Sequence, residues 1–451
     1  MPPSGKTERA TRAGIIGPAV TIPAQRLPLA ESARLLEHAS TVIPGASQTF
    51  SKGPTQFVRG VAPAFCERAR GARIWDVDGN EYLDYALALG PMILGYCHPE
   101  VDEAVRRQLE SGTTFTLPHR LEVELADEIC RLVPCAEMVR YGKSGADAVG
   151  AAVRVARAVT RRDHVLFSGY HGWHDWHIGA TTRSKGVPEA VRALTSTFPY
   201  GDLDALERAL EQHRPAAVVL EPVGIVEPPD GYLQGLVDLA HTHGALVVFD
   251  EIITGFRLSL GGAQEYYGVT PDLAAFGKAV ANGLPLSVVA GRRDLMSEFE
   301  QIFYSTTHGG EALSLAAALA TLRVIERDAV IPAIWHTGER LASGVRMLIE
   351  RRRLEAHVAC LGLPPRTSVL FYDTEGQDSL ELKSLLQQEC VKRGVLFTGS
   401  QFISAAHTDD DIDFTLAVYD EALAELEDAI AADDVAGRLE GPPVESVFRR
   451  S

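Results

Sequence analysis

The run AAFGKAVANGLPL (274–286) holds a single lysine, Lys278, among small, apolar and glycine neighbours. A lysine so placed has two readings. Its stem lies along the rim of a core while its ammonium stays wet, or it is buried so that its pKa falls and its neutral amine attacks a carbonyl. Other groups able to do chemistry follow short apolar, β-branched runs. Glu221 follows AAVVL, Asp250 and Glu251 follow ALVVF, and Tyr170-His171-Gly172 follows HVLFSG. Ser144-Gly145 opens GADAVGAA, a stretch of small residues, and a hydroxyl with free N–H groups at a helix start suits a phosphate. The same pair, with Asp147 three residues on, also reads as an ordinary helix cap. Gly142-Lys143-Ser144 lacks the upstream glycine of a nucleotide P-loop, because position 137 is Glu137. His171, His174 and His177 are evenly spaced, yet no HExxH pattern occurs, and Gly172 fits a loop better than a metal-binding helix.

An amine, a strand-end carboxylate, an aromatic and a phosphate cradle together meet the needs of pyridoxal 5'-phosphate. The lysine holds the aldehyde, the carboxylate keeps the pyridine nitrogen protonated, the aromatic stacks on the ring, and the cradle anchors the phosphate.

These residues need elements to position them. LAESARLLEHASTVIPG has helical spacing and stops at Pro44-Gly45; WDVDGNEYLDY alternates about Asp78-Gly79 as a hairpin. From residue 101, helix-period stretches such as DLDALERALEQH and GYLQGLVDLAHTHG alternate with apolar runs such as AAVVLEP, ALVVFDE and LSVVAG. Such alternation predicts an α/β fold, a mostly parallel sheet flanked by helices, with ligands beyond the carboxyl ends of the strands. Near residue 330 the rhythm changes to a helix, shorter strands and a last helix over LAVYDEALAELEDAIAA, which predicts a smaller α+β domain. The expected divisions are a flexible N-terminal arm over 1–29, a first part of the small domain over 30–90, a large domain over 91–328, and the rest of the small domain over 329–451.

The 451-residue chain carries 46% hydrophobic residues and a formal charge of −17, which argues against nucleic acid and anionic membranes as partners. No apolar run is long enough to span a bilayer, and the N-terminus has no signal-peptide core. Six cysteines without a CxxC pair indicate neither a zinc site nor a disulfide framework and point to the cytoplasm.

Over about residues 30–430, on the stretches FDEIITGF, AAFGKAVANGLPL, WDVDGNEYLDY, GPMILGYCHPEV, YHGWHD and SAAHTDDDID, the chain resembles a known family. It is similar to the class III, pyridoxal-phosphate-dependent aminotransferases of fold type I, in the branch of glutamate-1-semialdehyde aminomutase. The resemblance implies that Lys278 is the imine-forming lysine and proton carrier, Asp250 the pyridinium partner, and Ile252 the apolar residue on one ring face. It implies Tyr170 on the other face, with His171 and Gly172 completing that loop, and Ser144, Gly145 and Ala146 at the phosphate. Lys143 and Ala146 replace the family's usual Asn and Thr, so at Ala146 only the backbone N–H remains for the phosphate. Glu221 matches the glutamate of the E-P-V motif, and Thr307 the threonine that reaches the phosphate of a neighbouring subunit. The implied protein is a homodimer with its active site at the interface. It moves an amino group from a small-molecule amine donor to a carbonyl acceptor; the alternative is transfer within one molecule, as in the aminomutase. Departures from the aminomutase pattern place Gln48 and Ser51 where its Ser and Arg hold a carboxylate, and Leu89 where it has Trp. No arginine occurs between Gly394 and Gly437, so the pocket is expected to favour a neutral or bulkier carbonyl partner unless Arg257 or Lys143 supplies a cation.

Overall fold

The computed structural model describes residues 28–448, so residues 1–27 of the expected arm lie outside it. After a helix over Ala30–Val42, strands β1 (Cys66–Arg70), β2 (Arg73–Asp76) and β3 (Glu81–Asp84) form an antiparallel meander. Its second turn is the expected hairpin. Gly79 has φ +89°, where a side chain would be strained, and the Asp76 carboxylate accepts the N–H groups of Asp78 (3.0 Å) and Asn80 (2.8 Å).

The central sheet has seven strands: β4 (Met138–Gly142), β5 (Val165–Ser168), β6 (Thr195–Thr197), β7 (Ala217–Leu220), β8 (Leu246–Asp250), β9 (Leu273–Phe276) and β10 (Ser287–Gly291). Their order is β4-β10-β9-β8-β7-β5-β6, and β5 to β9 pair in parallel. Every residue of β5, β7 and β9 is buried, which is why each reads as a continuous apolar run. Alternate residues feed two cores. Leu166, Val218, Leu220, Val247 and Phe249 face one; Val165, Phe167, Val219 and Val248 face the other, against the small residues of the helix Gly145–Thr160.

Strand β10 is antiparallel to both neighbours. The link from β9 is too short for the dozen or so residues that a parallel crossover needs, so the chain turns straight back. That link contains Lys278. A short return that opens with one 3-10 turn, Lys278–Ala281, rather than a crossover α-helix, therefore carries the lysine.

The C-terminal part adds β11 (Val358–Leu363), β12 (Arg366–Phe371), β13 (Val395–Leu396) and β14 (Ser400–Phe402). β11, β12 and β14 form an antiparallel sheet, whereas β13 runs parallel to β3, so the two ends of the chain share the first sheet. The helix Val330–Arg351 packs on β11 and β12, and the helix Asp409–Ala431 packs on it and on the helix Leu380–Lys392. The last helix starts ahead of the apolar run that marked it in the sequence. Thr408 caps it, accepting the Asp411 N–H at 3.2 Å while Asp411 accepts the Thr408 N–H at 2.9 Å.

Candidate active site

Gly277 follows β9, and Lys278 begins a short 3-10 turn with φ +43°, a left-handed conformation uncommon for a residue with a side chain. Burial first, then the neighbouring Arg366, pull its amine down to about 8, against the opposing pull of Glu221 and Asp250. A pKa of about 8 leaves roughly one amine in ten neutral at pH 7, against roughly one in three thousand for an ordinary lysine. By surface exposure Lys278 is half-buried, and of the two readings open on the local residues the nucleophile of lowered pKa is the one this environment suits.

Asp250 ends β8 in register with Ala275 of β9, which puts its carboxylate on the strand next to Lys278. It is 5% exposed, and both oxygens are held: Oδ1 accepts the Ile252 N–H at 3.1 Å, and Oδ2 lies 2.8 Å from His171 Nδ1. His171 donates from Nε2 to the Ser168 carbonyl at 3.0 Å, which aims Nδ1 at Asp250. His171 thus stands behind Asp250, as its buttress. His177 accepts the His171 N–H at Nε2 (3.3 Å) and donates from Nδ1 to Gly172 O (2.9 Å), and burial lowers its pKa, which keeps this neutral tautomer. His174 lies 3.7 Å from Asp147. The three histidines thus serve three different partners. Glu251, the other strand-end acid, is fully buried and accepts from Thr254, Ala263 and Gln264, so its role is to fix the loop after β8.

The helix Gly145–Thr160 starts against this group. Ser144 Oγ accepts the Asp147 N–H at 3.2 Å and Asp147 accepts the Ser144 N–H at 2.8 Å. The cap uses the hydroxyl oxygen only as an acceptor, which leaves its hydrogen for another ligand, and the Gly145 and Ala146 N–H groups lie in the first turn, where no helical carbonyl precedes them. A Cβ at Gly145 or at Gly277 would come within 3.1 Å of Ile252, and one at Gly172 within 2.6 Å of Ala146. Helix start, Ile252, the Lys278 turn and the Tyr170-His171-Gly172 loop therefore meet at van der Waals contact. Tyr170 is 52% exposed over this floor, with its ring edge-on to His177 and its N–H 3.5 Å from Glu221 Oε1. A hydroxyl with backbone N–H donors, a lowered amine, a held carboxylate, an apolar floor and an aromatic ring fit pyridoxal 5'-phosphate.

Other predicted residues fall elsewhere. Thr307 lies in an exposed turn before the helix Ala312–Arg327, and among the described residues no hydrogen bond joins it to the Lys278 group. Lys143 pairs with Glu311 (3.1 Å), the cap of that helix. Arg257, 1% exposed, donates to the carbonyls of Gly90 (2.5 Å), Ile403 (2.9 Å) and Pro365 (3.5 Å). It clamps the loop after β8 to the start of β12 and the end of β14; burial and Arg366 lower its pKa to about 9, so it stays charged at neutral pH. Neither cation is free to grip an acid. Gln48, Ser51 and Leu89 do come together, along one cleft of about 530 Å³ with Phe57, Phe65 and Tyr96 in its walls.

Sequence reasoning missed Arg366. It opens β12, 4.0 Å from Glu221 Oε2, and its charge lowers the pKa of the Lys278 amine. The signal was an arginine after the Pro364-Pro365 turn, outside the 394–437 segment in which an arginine was sought.

The class III aminotransferase family model matches residues 57–399. Glutamate-1-semialdehyde 2,1-aminomutase of Gemmatimonas aurantiaca is 39% identical over 92% of this chain and 99% of its own. 3-Aminobutyryl-CoA aminotransferase of Cloacimonas acidaminovorans is 34% identical over 89% of this chain and 99% of its own. Among solved structures, the PLP internal aldimine form of the Sphingopyxis sp. MTA144 FumI protein is similar with a TM-score of 0.82 and 28% identity, covering 92% of this chain and 98% of that one.

Proposed function

Since the chain belongs to the class III aminotransferases, pyridoxal-phosphate-dependent enzymes of fold type I, we propose how its residues divide the work of amino transfer. The cofactor supplies an aldehyde that takes up the amino group and a pyridine ring that withdraws electrons from the reacting carbon. Lys278 Nζ is the nucleophile that holds the cofactor at rest and the base that takes the substrate's proton and returns it. Asp250, fixed by His171 and the Ile252 N–H, keeps a negative charge where the ring nitrogen's proton must stay. Ser144 Oγ and the Gly145 and Ala146 N–H groups hold the phosphate. Ile252 and Tyr170 wall the two ring faces, and Glu221 holds the Tyr170 backbone. The observation that carries this reading is the adjacency of a lysine of lowered pKa and a doubly held aspartate on neighbouring strand ends.

Transfer between two molecules is the reading favoured over the aminomutase's internal transfer, on Gln48, Ser51 and Leu89, which line one cleft together. With cofactor bound, a primary amine should change the cofactor absorbance and a separate carbonyl compound should restore it. Efficient isomerisation of glutamate-1-semialdehyde with no external donor would instead establish the internal reaction.

The chain works as a homodimer in this reading, with Thr307 donating to the partner's phosphate. Val123, Tyr304, Thr306 and Gly310 line a groove beside the Thr307 turn, and Val123 (64%), Leu117 (76%) and Phe303 (80%) are exposed apolar residues suited to a second copy. Thr307→Ala should weaken cofactor retention by about 1.5–3 kcal/mol, the worth of a hydrogen bond to a charged group, measured by equilibrium dialysis. Full activity in a species shown by light scattering to be monomeric would refute the shared site. The pairing of β13 with β3 supports a small domain built from 30–90 and 329–451 around a large one over 91–328. The exposed free thiols of Cys66 and Cys97 fit a reducing cytoplasm, which cell fractionation would test.

A further inference from the structure

The last residues of a chain are ordered only where something ties them down, and here the ties run along the whole tail after the final helix. Glu440 N donates to Gln388 Oε1 at 2.8 Å. Gly441 then passes so close to Arg59 that a Cβ there would come within 2.1 Å of the Arg59 carbonyl oxygen. Val444 N donates to Ser384 Oγ at 2.9 Å, and its buried side chain packs with Val58 and Val61. Glu445 N donates to Thr55 O at 2.8 Å, while Gln56 Nε2 donates back to Glu445 O at 2.8 Å. Thr55 and Gln56 lie between Pro54 and Phe57, both in the wall of the 530 Å³ cleft. Beyond this point the tail crosses to the Tyr170 loop. Arg183 Nε donates to Val447 O, Ser446 Oγ donates to Phe448 O at 2.8 Å, and the Phe448 ring lies 5.7 Å from the Tyr170 ring, centroid to centroid. Arg183 joins the same two regions, because its guanidinium carbon sits 4.4 Å from the ring centroid of Phe50, next to the cleft residue Ser51.

Tyr170 is 52% exposed, and a ring so open has several rotamers available to it. His177 meets it edge-on within its own loop, whereas Phe448 meets it from the far end of the chain. We infer that residues 441–448 form a strap from the cleft wall to Tyr170, with Phe448 as a positioning residue that holds the Tyr170 ring in place for the cofactor. The inference rests on the proposed reading of Tyr170 as one wall of the cofactor ring. Phe448 acts through Tyr170, so its removal should loosen that ring and leave the chemistry at Lys278 intact.

The test uses the full-length protein with three variants, Phe448→Ala, Phe448→Tyr and Arg183→Gln. Hydrogen–deuterium exchange is read over residues 169–178 against the rest of the chain, and cofactor binding by equilibrium dialysis and visible circular dichroism. Phe448→Ala should speed exchange in that loop selectively. It should also weaken cofactor binding by about 2- to 10-fold, the scale of one aromatic pair, and diminish the cofactor's visible dichroism. Phe448→Tyr, which keeps the ring, should restore both. Arg183→Gln should act in the same direction and covers the case in which the alanine variant does not fold. Unchanged exchange in the loop, or faster exchange spread evenly over the chain, would overturn the strap. A loosened loop with cofactor affinity and dichroism unchanged would overturn the positioning role. Selective loosening in a protein whose wild type takes up no cofactor would keep the hold on Tyr170 and sink the amino-transfer reading instead.

Discussion

Lys278→Ala should reduce kcat by more than about 10³-fold, towards the upper end of what a positioned proton carrier contributes, because the same atom also serves as nucleophile. The expectation follows from its place in the fold. The tight return between β9 and β10 fixes the backbone at φ +43°, and burial with Arg366 nearby brings the amine down to about 8. No other lysine is described beside Asp250: Lys143, at the helix start, is tied to Glu311 at 3.1 Å. The variant should still bind cofactor through Ser144, Gly145 and Ala146, so dialysis and activity should part company. Loss of cofactor and activity in the same proportion would mean that Lys278 is only an anchor. A variant with more than a few per cent of wild-type kcat would remove it from the chemistry.

Asp250→Asn should cost about 10²–10³ in kcat, the scale seen when one preorganised electrostatic partner is removed from a reacting centre. The side chain keeps its shape, but an amide no longer offers the charge that holds a proton on the ring nitrogen. It also faces His171 Nδ1 with an altered donor pattern, at a contact now 2.8 Å long. Asp250→Glu should recover part of the rate only where the longer chain finds the same place, so the asparagine variant is the cleaner measurement. His171→Gln should show a smaller loss, because His171 touches Asp250 and acts through it. Stopped-flow measurement of the amine half-reaction separates these effects from cofactor affinity. An asparagine variant with an unchanged half-reaction rate would contradict the role given to Asp250.

The strand ends were legible because each central strand announces itself as an apolar, β-branched run and each functional group follows directly: Glu221 after AAVVL, Asp250 after ALVVF, Tyr170 after HVLFSG. The Ser144 start was legible too, as a cap, and the cap leaves room for the phosphate proposal because it uses the hydroxyl oxygen as acceptor and leaves its hydrogen available. Strand direction was not. LSVVAG looks like its parallel neighbours, and only the short link from β9 makes β10 antiparallel. The partnership of His171 with Asp250 spans 79 residues and leaves no local mark. Arg257 and Arg366 read alike as lone basic residues near apolar strands. Contacts between distant segments decide that one is clamped to three carbonyls and the other keeps free donors. Thr307 is the reverse case: its reading came from a resemblance, and the structure leaves it in an exposed turn with no hydrogen bond to the Lys278 group among the described residues.

The central claim is that Lys278 holds the cofactor through its own amine, and reductive trapping tests it most directly. The cofactor-loaded wild-type protein is treated with borohydride, digested, and the modified peptide identified by mass spectrometry. The expected result is a single cofactor-bearing peptide that contains Lys278, absent from the Lys278→Ala variant. Trapping at another lysine, or a wild-type protein that takes up cofactor with no covalent adduct after reduction, would contradict it.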